Sequence, residues 1–450
     1  MTGVLFLVVF AVFAALMVRR VLPALLAVPL MALVLAAISG ASPGQLAQVV
    51  VDGTVRLAPV IVTVVFGALL SRVTLAGGIA EAIVAYVAEF AGDRPEIVAL
   101  ALAAAVALLF TALTGLGAII MVGSIVLPIM LTVGVPRKLA ATLFLLAFSL
   151  GFIFNIAQWT FYERTFAVSR VQLERYALVL AALELLAIAV FALVRFRRAR
   201  GYATWALALE ATTVKRRPPP YALVAPVLPL ALYFGLGIPP AVAFLIAALY
   251  GAFAARPRRA IETLVASAIR GVEDVAPALL LFLGIGMLLE ATALPGVART
   301  LGPLVAALAP RSWLGYVVLF GLLSPLALYR GPLNPFGVGI AVYIVLASHG
   351  SLPPVVLVAA IMAVVQVQNA CDPTNTQNVW VAGFCGVDIA EILRLALPYQ
   401  VAVATLGTLA VVLFGGPLLG VRPFALGPAP VRAAELAATA SAVPSATPSA

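Results

Sequence analysis

The sequence has 450 residues, of which 64% are hydrophobic and only 10% are charged. Soluble domains carry about 25% charged residues, so the composition excludes an ordinary water-soluble protein and predicts an integral membrane protein. The net charge of +10 comes from basic residues in short loops, as the positive-inside rule requires, and does not indicate nucleic acid as a partner.

The first half of the chain, residues 1–200, alternates apolar segments of membrane-spanning length with short polar interruptions. About 20 apolar residues cross a bilayer. On this criterion the predicted crossings are 4–18, 22–39, 57–73, a broken helix at 138–168, and 177–195. Residues 79–91 suit an interfacial helix, and residues 95–131 suit a re-entrant hairpin. A strongly basic segment, 194–220, then predicts a cytoplasmic linker.

The second half, residues 220–418, repeats this plan. It contains predicted crossings at 239–254 and 397–415, a hairpin at 311–348 and a broken helix at 355–387. The last segment, 421–450, is rich in Ala, Pro and Ser without periodicity, which predicts a disordered tail.

Three landmarks recur in the same order in the two halves. LAP at 57–59 returns as VAP at 275–277, TGLGA returns as RGPLNPFG, and a polar break at Asn155 returns at Asn369. Basic residues follow 4–18, so the next helix, 22–39, runs outward. Its counterpart in the second half, 239–254, ends in basic residues and therefore runs inward, which places equivalent points of the two halves on opposite sides. The predicted fold is therefore all-α, with two inverted-topology repeats, about ten transmembrane helices, two re-entrant hairpins and both termini outside.

Four polar or glycine-rich islands interrupt the apolar spans, and such breaks survive in lipid only where they line a cavity or a ligand. Half-helix N-termini suit a carboxylate, and carbonyl oxygens suit Na⁺. The predicted substrate-binding residues are Thr114, Gly115, Gly117, Asn155, Gln158, Arg330, Gly331, Asn334, Asn369, Thr374, Asn375 and Thr376. The predicted ligands of a coupling cation are Asn155, Asn369, Asp372 and Asn378.

Arg330 is the most informative of these residues, because a charge in the middle of a membrane is costly and marks a cavity or a partner. Its guanidinium matches a carboxylate in two-point fashion. An internal pair with Asp372 is the alternative. Asp372 itself suits Na⁺ binding, proton transfer or the capping of a helix, and the asparagines suit either a site or interhelical hydrogen bonds.

Two segments of the chain carry a family resemblance. They are FTALTGLGAIIMVGSIVLPIM at 110–130 and DPTNTQN at 372–378. Together they resemble the ion transporter superfamily, which includes divalent-anion/Na⁺ symporters, citrate carriers and gluconate permeases. The resemblance extends over roughly residues 1–418 in layout. It implies a homodimer in the cytoplasmic (inner) membrane that moves a transport unit as an elevator.

These features predict a secondary transporter that carries a small mono-, di- or tricarboxylate together with Na⁺ or H⁺, with no cofactor beyond a coupling ion. A Na⁺/H⁺ antiporter of the same superfamily is the alternative, and it would need more membrane carboxylates than the sequence offers. An enzyme is disfavoured, because one His and two Cys cannot build a familiar zinc site.

Overall fold

The computed structural model describes residues 2–19, 21–91, 94–199, 218–297, 309–337, 339–348, 352–421 and 424. Every regular element in these ranges is helical. The first half contains α1 Thr2–Val18, α2 Ala24–Ile38, α3 Pro43–Ala76, α4 Ile79–Ala91, α5 Pro95–Phe110, α6 Leu116–Thr132, α7 Arg137–Ile153, α8 Ile156–Phe166 and α9 Arg170–Ala199. The predicted linker and tail lie largely outside the described residues.

The second half begins with short helical turns at Pro220–Val224, Leu228–Leu230 and Ala231–Gly235. It continues with α10 Pro240–Ala255, α11 Ala260–Ala293, α12 Trp313–Leu322, the turn Ser324–Arg330, α13 Gly339–Ser348, α14 Pro354–Cys371, α15 Thr376–Cys385 and α16 Ile389–Leu419. We call α5 and α6 with their tip at 111–115 hairpin 1, and we call the segment 313–348 hairpin 2.

Five stretches of the described chain are long and apolar enough to cross a membrane, and two bent helix pairs raise that number to seven. The five are Pro43–Ala76, Arg170–Phe196, Pro257–Ala293, Pro354–Cys385 and Ile389–Leu419. The bent pairs are α7 with α8, at 51°, and α12 with the turn after it, at 41°. The predicted all-α membrane fold is confirmed, whereas the number of crossings and the inverted relation stay predictions.

Helix α3 is longer than the crossing predicted at 57–73, because it starts at a capping box. Ser42 Oγ accepts from the backbone N–H of Gln45, and the Gln45 side chain accepts from the N–H of Ser42. Two reciprocal hydrogen bonds of this kind satisfy amides that would otherwise have no partner at a helix start. The helix therefore begins at Pro43 and carries Asp52 and Arg56 within its length.

Helices α3 and α11 form a close antiparallel pair at the centre of the fold. A Cβ on Gly286 would lie 2.0 Å from the Gly53 carbonyl oxygen, and a Cβ on Gly271 would lie 3.0 Å from the Ala68 backbone. Small residues at these two crossings let the backbones approach. Two ion pairs flank the contact, Arg56 with Glu290 at 3.2 Å and Arg72 with Asp274.

Replacing Gly286 with alanine is expected to destabilise the protein, because the new methyl group has no room against the α3 backbone. Overpacking of this kind costs about 1–3 kcal/mol, and thermal unfolding in detergent measures it. Gly383, in α15, is the matched control, since a Cβ added there would meet nothing within 4 Å. A Gly383→Ala variant should keep or slightly raise the unfolding temperature. Equal unfolding temperatures for both variants would contradict the packing account.

Candidate functional site

Asn155 fastens the tip of hairpin 1 to the break between α7 and α8. As the N-cap of α8, its Oδ1 accepts from the backbone N–H of Gln158 at 3.3 Å. Its Nδ2 donates to the carbonyl oxygens of Phe110 and Leu113, at 2.9 and 3.2 Å. The side chain is 1% exposed. Asn155 therefore uses its amide on protein partners and holds the hairpin tip in place.

Hairpin 2 reaches its tip through two residues in the left-handed region. Tyr329 and Arg330 have φ of +57° and +60°, a conformation that costs a non-glycine residue roughly 1–2 kcal/mol. The loop is closed by Asn334, which donates to the Ala327 carbonyl oxygen at 3.0 Å and accepts from the Phe336 N–H at 2.9 Å. Strained backbone held by its surroundings is typical of functional sites.

Asp372 joins the tip of hairpin 2 to the break between α14 and α15. Its Oδ1 accepts from the N–H of Tyr329 at 3.0 Å and from the N–H and hydroxyl of Thr374 at 2.8 and 2.7 Å. Its Oδ2 accepts from Asn334 Nδ2 at 3.1 Å. Asp372 is fully buried, and these donors satisfy both oxygens. Asp372 therefore holds the tip of hairpin 2 in place, as Asn155 holds the tip of hairpin 1.

A cavity of about 580 Å³ opens between the two hairpin tips, the α14–α15 break and the middle of α11. Seven of the predicted substrate-binding residues line it: Thr114, Gly115, Arg330, Asn369, Thr374, Asn375 and Thr376. Five do not: Gly117, Asn155, Gln158, Gly331 and Asn334. The structure thus gathers the hairpin tips and the second break around one space.

The residues behind the cavity have packing roles. A Cβ on Gly117 would meet the Asp274 carboxylate at 2.3 Å, and one on Gly331 would meet the Leu326 carbonyl oxygen at 2.1 Å. Gln158 is 5% exposed and does not line the cavity. Gly117 and Gly331 therefore allow close packing around the two tips.

Arg330 is the charged residue of the cavity lining, and its guanidinium is available. Nη1 donates to the Phe336 carbonyl oxygen at 3.1 Å. The predicted alternative, an ion pair with Asp372, does not form: none of the ion pairs between described residues includes Arg330. The Asp372 charge acts on it only at longer range. A partly buried cation without a protein counter-ion suits an anionic ligand.

Three side-chain atoms of the cavity lining are buried without a hydrogen-bond partner. They are Thr114 Oγ1, Gln368 Oε1 and Asn369 Nδ2. Buried polar atoms are nearly always hydrogen-bonded, to protein, water or ligand. One of these atoms belongs to hairpin 1 and two belong to the end of α14, so the unsatisfied polar atoms lie in residues that the cavity brings together. Gln368 was absent from the predicted set, although it is adjacent to Asn369.

The apolar part of the cavity wall was not among the predicted site residues. Phe110, Phe148 and Phe152 line one side of the cavity, and Phe336 contributes from hairpin 2. The rings of Phe110 and Phe148 meet edge to face at 5.0 Å between centroids. In an apolar chain, aromatic residues that face lipid or the protein core have the same spacing as those that line a cavity. The sequence therefore gave no indication that these phenylalanines form part of the cavity wall.

The predicted ligands of a coupling cation are only partly assembled. Asp372 has both oxygens engaged, and Asn155 Oδ1 accepts a backbone hydrogen bond. Asn378 donates to the Asp372 carbonyl oxygen at 2.9 Å and keeps an unpartnered Oδ1. Among the described residues no cluster of three His, Cys, Asp or Glu side chains could hold a metal ion. Na⁺ binding here stays a prediction.

No family model matches the chain, and no curated protein matches its sequence. Among solved structures, the crystal structure of the YdaH transporter from Alcanivorax borkumensis is similar, with a TM-score of 0.59 and 16% sequence identity. The similarity covers 93% of this chain and 99% of that chain. The chain therefore shares the fold of a membrane transporter over nearly its whole length, and it does so with little sequence in common.

Proposed function

We propose that this protein is a secondary transporter that moves a small organic anion, a mono-, di- or tricarboxylate, by alternating access. The observation that carries the proposal is Arg330, which lines the cavity and forms no ion pair with any described residue. A carboxylate on the solute would supply a counter-ion in two-point fashion. Fold similarity to a transporter supports the same class of function.

The proposal includes two inverted repeats, for which the α3–α11 pair gives support. The shift along the chain that carries Gly53 onto Gly271 also carries Ala68 onto Gly286. It carries Arg56 onto Asp274 and Arg72 onto Glu290. The two glycine contacts are therefore equivalent under this shift, and so are the two ion pairs. Such equivalence is expected for repeats related by a two-fold axis in the membrane plane.

Within this proposal, Arg330 and the tip residues Thr114 and Gly115 contact the carboxylate. Asn369, Thr374, Asn375 and Thr376 supply polar contacts to the rest of the solute, and Asn155 and Asp372 hold the tips. We further place the protein in the cytoplasmic membrane as a homodimer with both termini outside. The Na⁺/H⁺ antiporter alternative has less support, because the oxygens of Asp372 are occupied by hydrogen-bond donors.

The test is uptake by proteoliposomes that contain the purified protein. A panel of labelled mono-, di- and tricarboxylates is offered under an imposed Na⁺ gradient and then under an imposed H⁺ gradient. We expect at least one carboxylate to accumulate above protein-free liposomes, and unlabelled substrate to compete. Failure of every carboxylate under both gradients, in a preparation that is monodisperse, would overturn the proposed substrate class.

A further inference from the structure

A carboxyl group lies inside the membrane-spanning bundle, outside the cavity. Glu184 is in α9, within the apolar stretch Arg170–Phe196, and it is 0% exposed. None of the ion pairs between described residues includes it. A carboxylate removed from water without a cation is very costly, and such a group neutralises by taking up a proton. Ionisable residues inside membranes are rare and typically mark ion pathways, proton relays or ligand sites.

The hydrogen bond from Gln400 of α16 indicates which oxygen of Glu184 carries that proton. Its Nε2 donates to Glu184 Oε1 at 2.6 Å. The other atom of each group, Glu184 Oε2 and Gln400 Oε1, is buried without a partner, and both are acceptors. A proton on Oε2 supplies the one donor that is missing. Oε2 then carries a donor, and Gln400 Oε1 is an unpartnered acceptor on the residue that already contacts this carboxyl group.

Among the described residues, no cation of α9 or of the helices packed against it forms an ion pair with Glu184. Helix α7 carries its ionisable residues, Arg137 and Lys138, only in its first turn, and α14 contributes Cys371. The ionisable residues of α16 are Glu391, Arg394 and Tyr399. Besides Glu184, those of α9 are Arg170, Glu174, Arg175, Tyr176, Arg195, Arg197 and Arg198. Glu391 pairs with Lys138, Glu174 pairs with Arg170, and Tyr399 packs on Phe191.

One residue, Cys371, connects the surroundings of the carboxyl group with the candidate site. Cys371 at the end of α14 is within electrostatic range of both Glu184 and Asp372. Asp372 in turn holds Tyr329, the neighbour of Arg330. Helix α14, which packs against α9, therefore carries Cys371 directly before the residue that positions the hairpin 2 tip.

We propose that Glu184 and Gln400 form a proton-binding site, and that this site carries the proton coupled to solute movement. The step moves one proton onto Glu184 Oε2 and off again, and no other bond forms or breaks. The coupling role rests on the proposed transport function, whereas the proton site does not. The two parts therefore have separate tests.

Infrared difference spectroscopy of the reconstituted protein tests the proton site. We expect a carboxylic-acid carbonyl band in the wild type that is lost in Glu184→Gln and retained in Glu174→Gln, the ion-paired control on the same helix. Glu184→Gln should fold normally, because an amide has the shape of a protonated acid. Gln400→Leu should shift the band, since it removes the hydrogen-bond partner. Identical spectra for the wild type and both Glu184→Gln and Gln400→Leu would overturn the site.

Transport measurements test the coupling. Accumulation driven by an imposed proton gradient should be lost in Glu184→Gln, while exchange of labelled for unlabelled anion without a gradient is retained. Wild-type accumulation in Glu184→Gln would overturn the coupling role. If the wild-type protein moves no anion, the proposed function and the coupling role both fall, and the infrared result alone decides the proton site.

Discussion

Replacing Arg330 with alanine is expected to abolish anion uptake, because the change removes the charged group of the cavity lining that can pair with a carboxylate. Truncating one partner of a buried, hydrogen-bonded charge pair costs about 2–5 kcal/mol. A loss of 2 kcal/mol corresponds to roughly 30-fold weaker binding. Equilibrium binding of the transported anion to purified protein measures this directly. The same variant should show no gradient-driven accumulation in proteoliposomes.

The controls separate the loss of charge from a loss of fold. Arg394→Ala removes an exposed arginine of α16 that does not line the cavity, and it should bind the anion normally. Arg330→Lys keeps the charge but not the two-point fork, so an intermediate affinity is expected. Arg330→Gly relieves a positive φ of +60° and should unfold at a higher temperature than Arg330→Ala while remaining inactive. Wild-type affinity in Arg330→Ala would remove the guanidinium from the site.

Much of the site could be predicted from sequence, because lipid makes polar residues conspicuous. An arginine followed by glycine and proline in an apolar stretch was expected to face a cavity or a partner, and Arg330 lines the cavity. The break at DPTNTQN was visible for the same reason, since a proline and several amides interrupt an otherwise apolar helix. Helix α14 ends at Cys371 and helix α15 begins at Thr376, so the backbone break occupies the first four residues of that segment.

Sequence could not separate residues that line the cavity from those that support it. Asn155 and Asn369 looked equivalent as polar breaks in the two halves. The Asn155 amide is hydrogen-bonded to the tip of hairpin 1. Asn369 lines the cavity instead, and its Nδ2 has no hydrogen-bond partner among the described residues. The difference depends on side-chain direction at a broken helix, where helical periodicity no longer fixes which way a residue points.

Glu184 was missed although its signal was present. A single glutamate in ALVLAALELLAIAV is a charge in a membrane-spanning segment, and that alone indicates function or a buried partner. Its partner Gln400 lies more than two hundred positions away and carries no charge. Only the packing of α9 against α16 joins the two.

Replacing Asp372 with asparagine is expected to disable transport by displacing the tip of hairpin 2. The carboxylate accepts from Tyr329, Thr374 and Asn334. An amide nitrogen at either oxygen position would face a donor, and a buried polar group left unsatisfied costs about 1–3 kcal/mol. The displaced Tyr329 carries Arg330 with it, so both the unfolding temperature and the anion affinity should fall.

The cation dependence distinguishes this positioning role from direct cation binding. If Asp372 only holds the tip, the residual uptake in Asp372→Asn should keep the wild-type dependence on Na⁺ or H⁺ concentration. A cation ligand would instead show a changed dependence with unchanged anion binding. Asp388→Asn is the matched control: Asp388 is an exposed cap that accepts from the Ala390 N–H at 2.9 Å. Asparagine caps a helix as well as aspartate, so its stability and uptake should match those of the wild type.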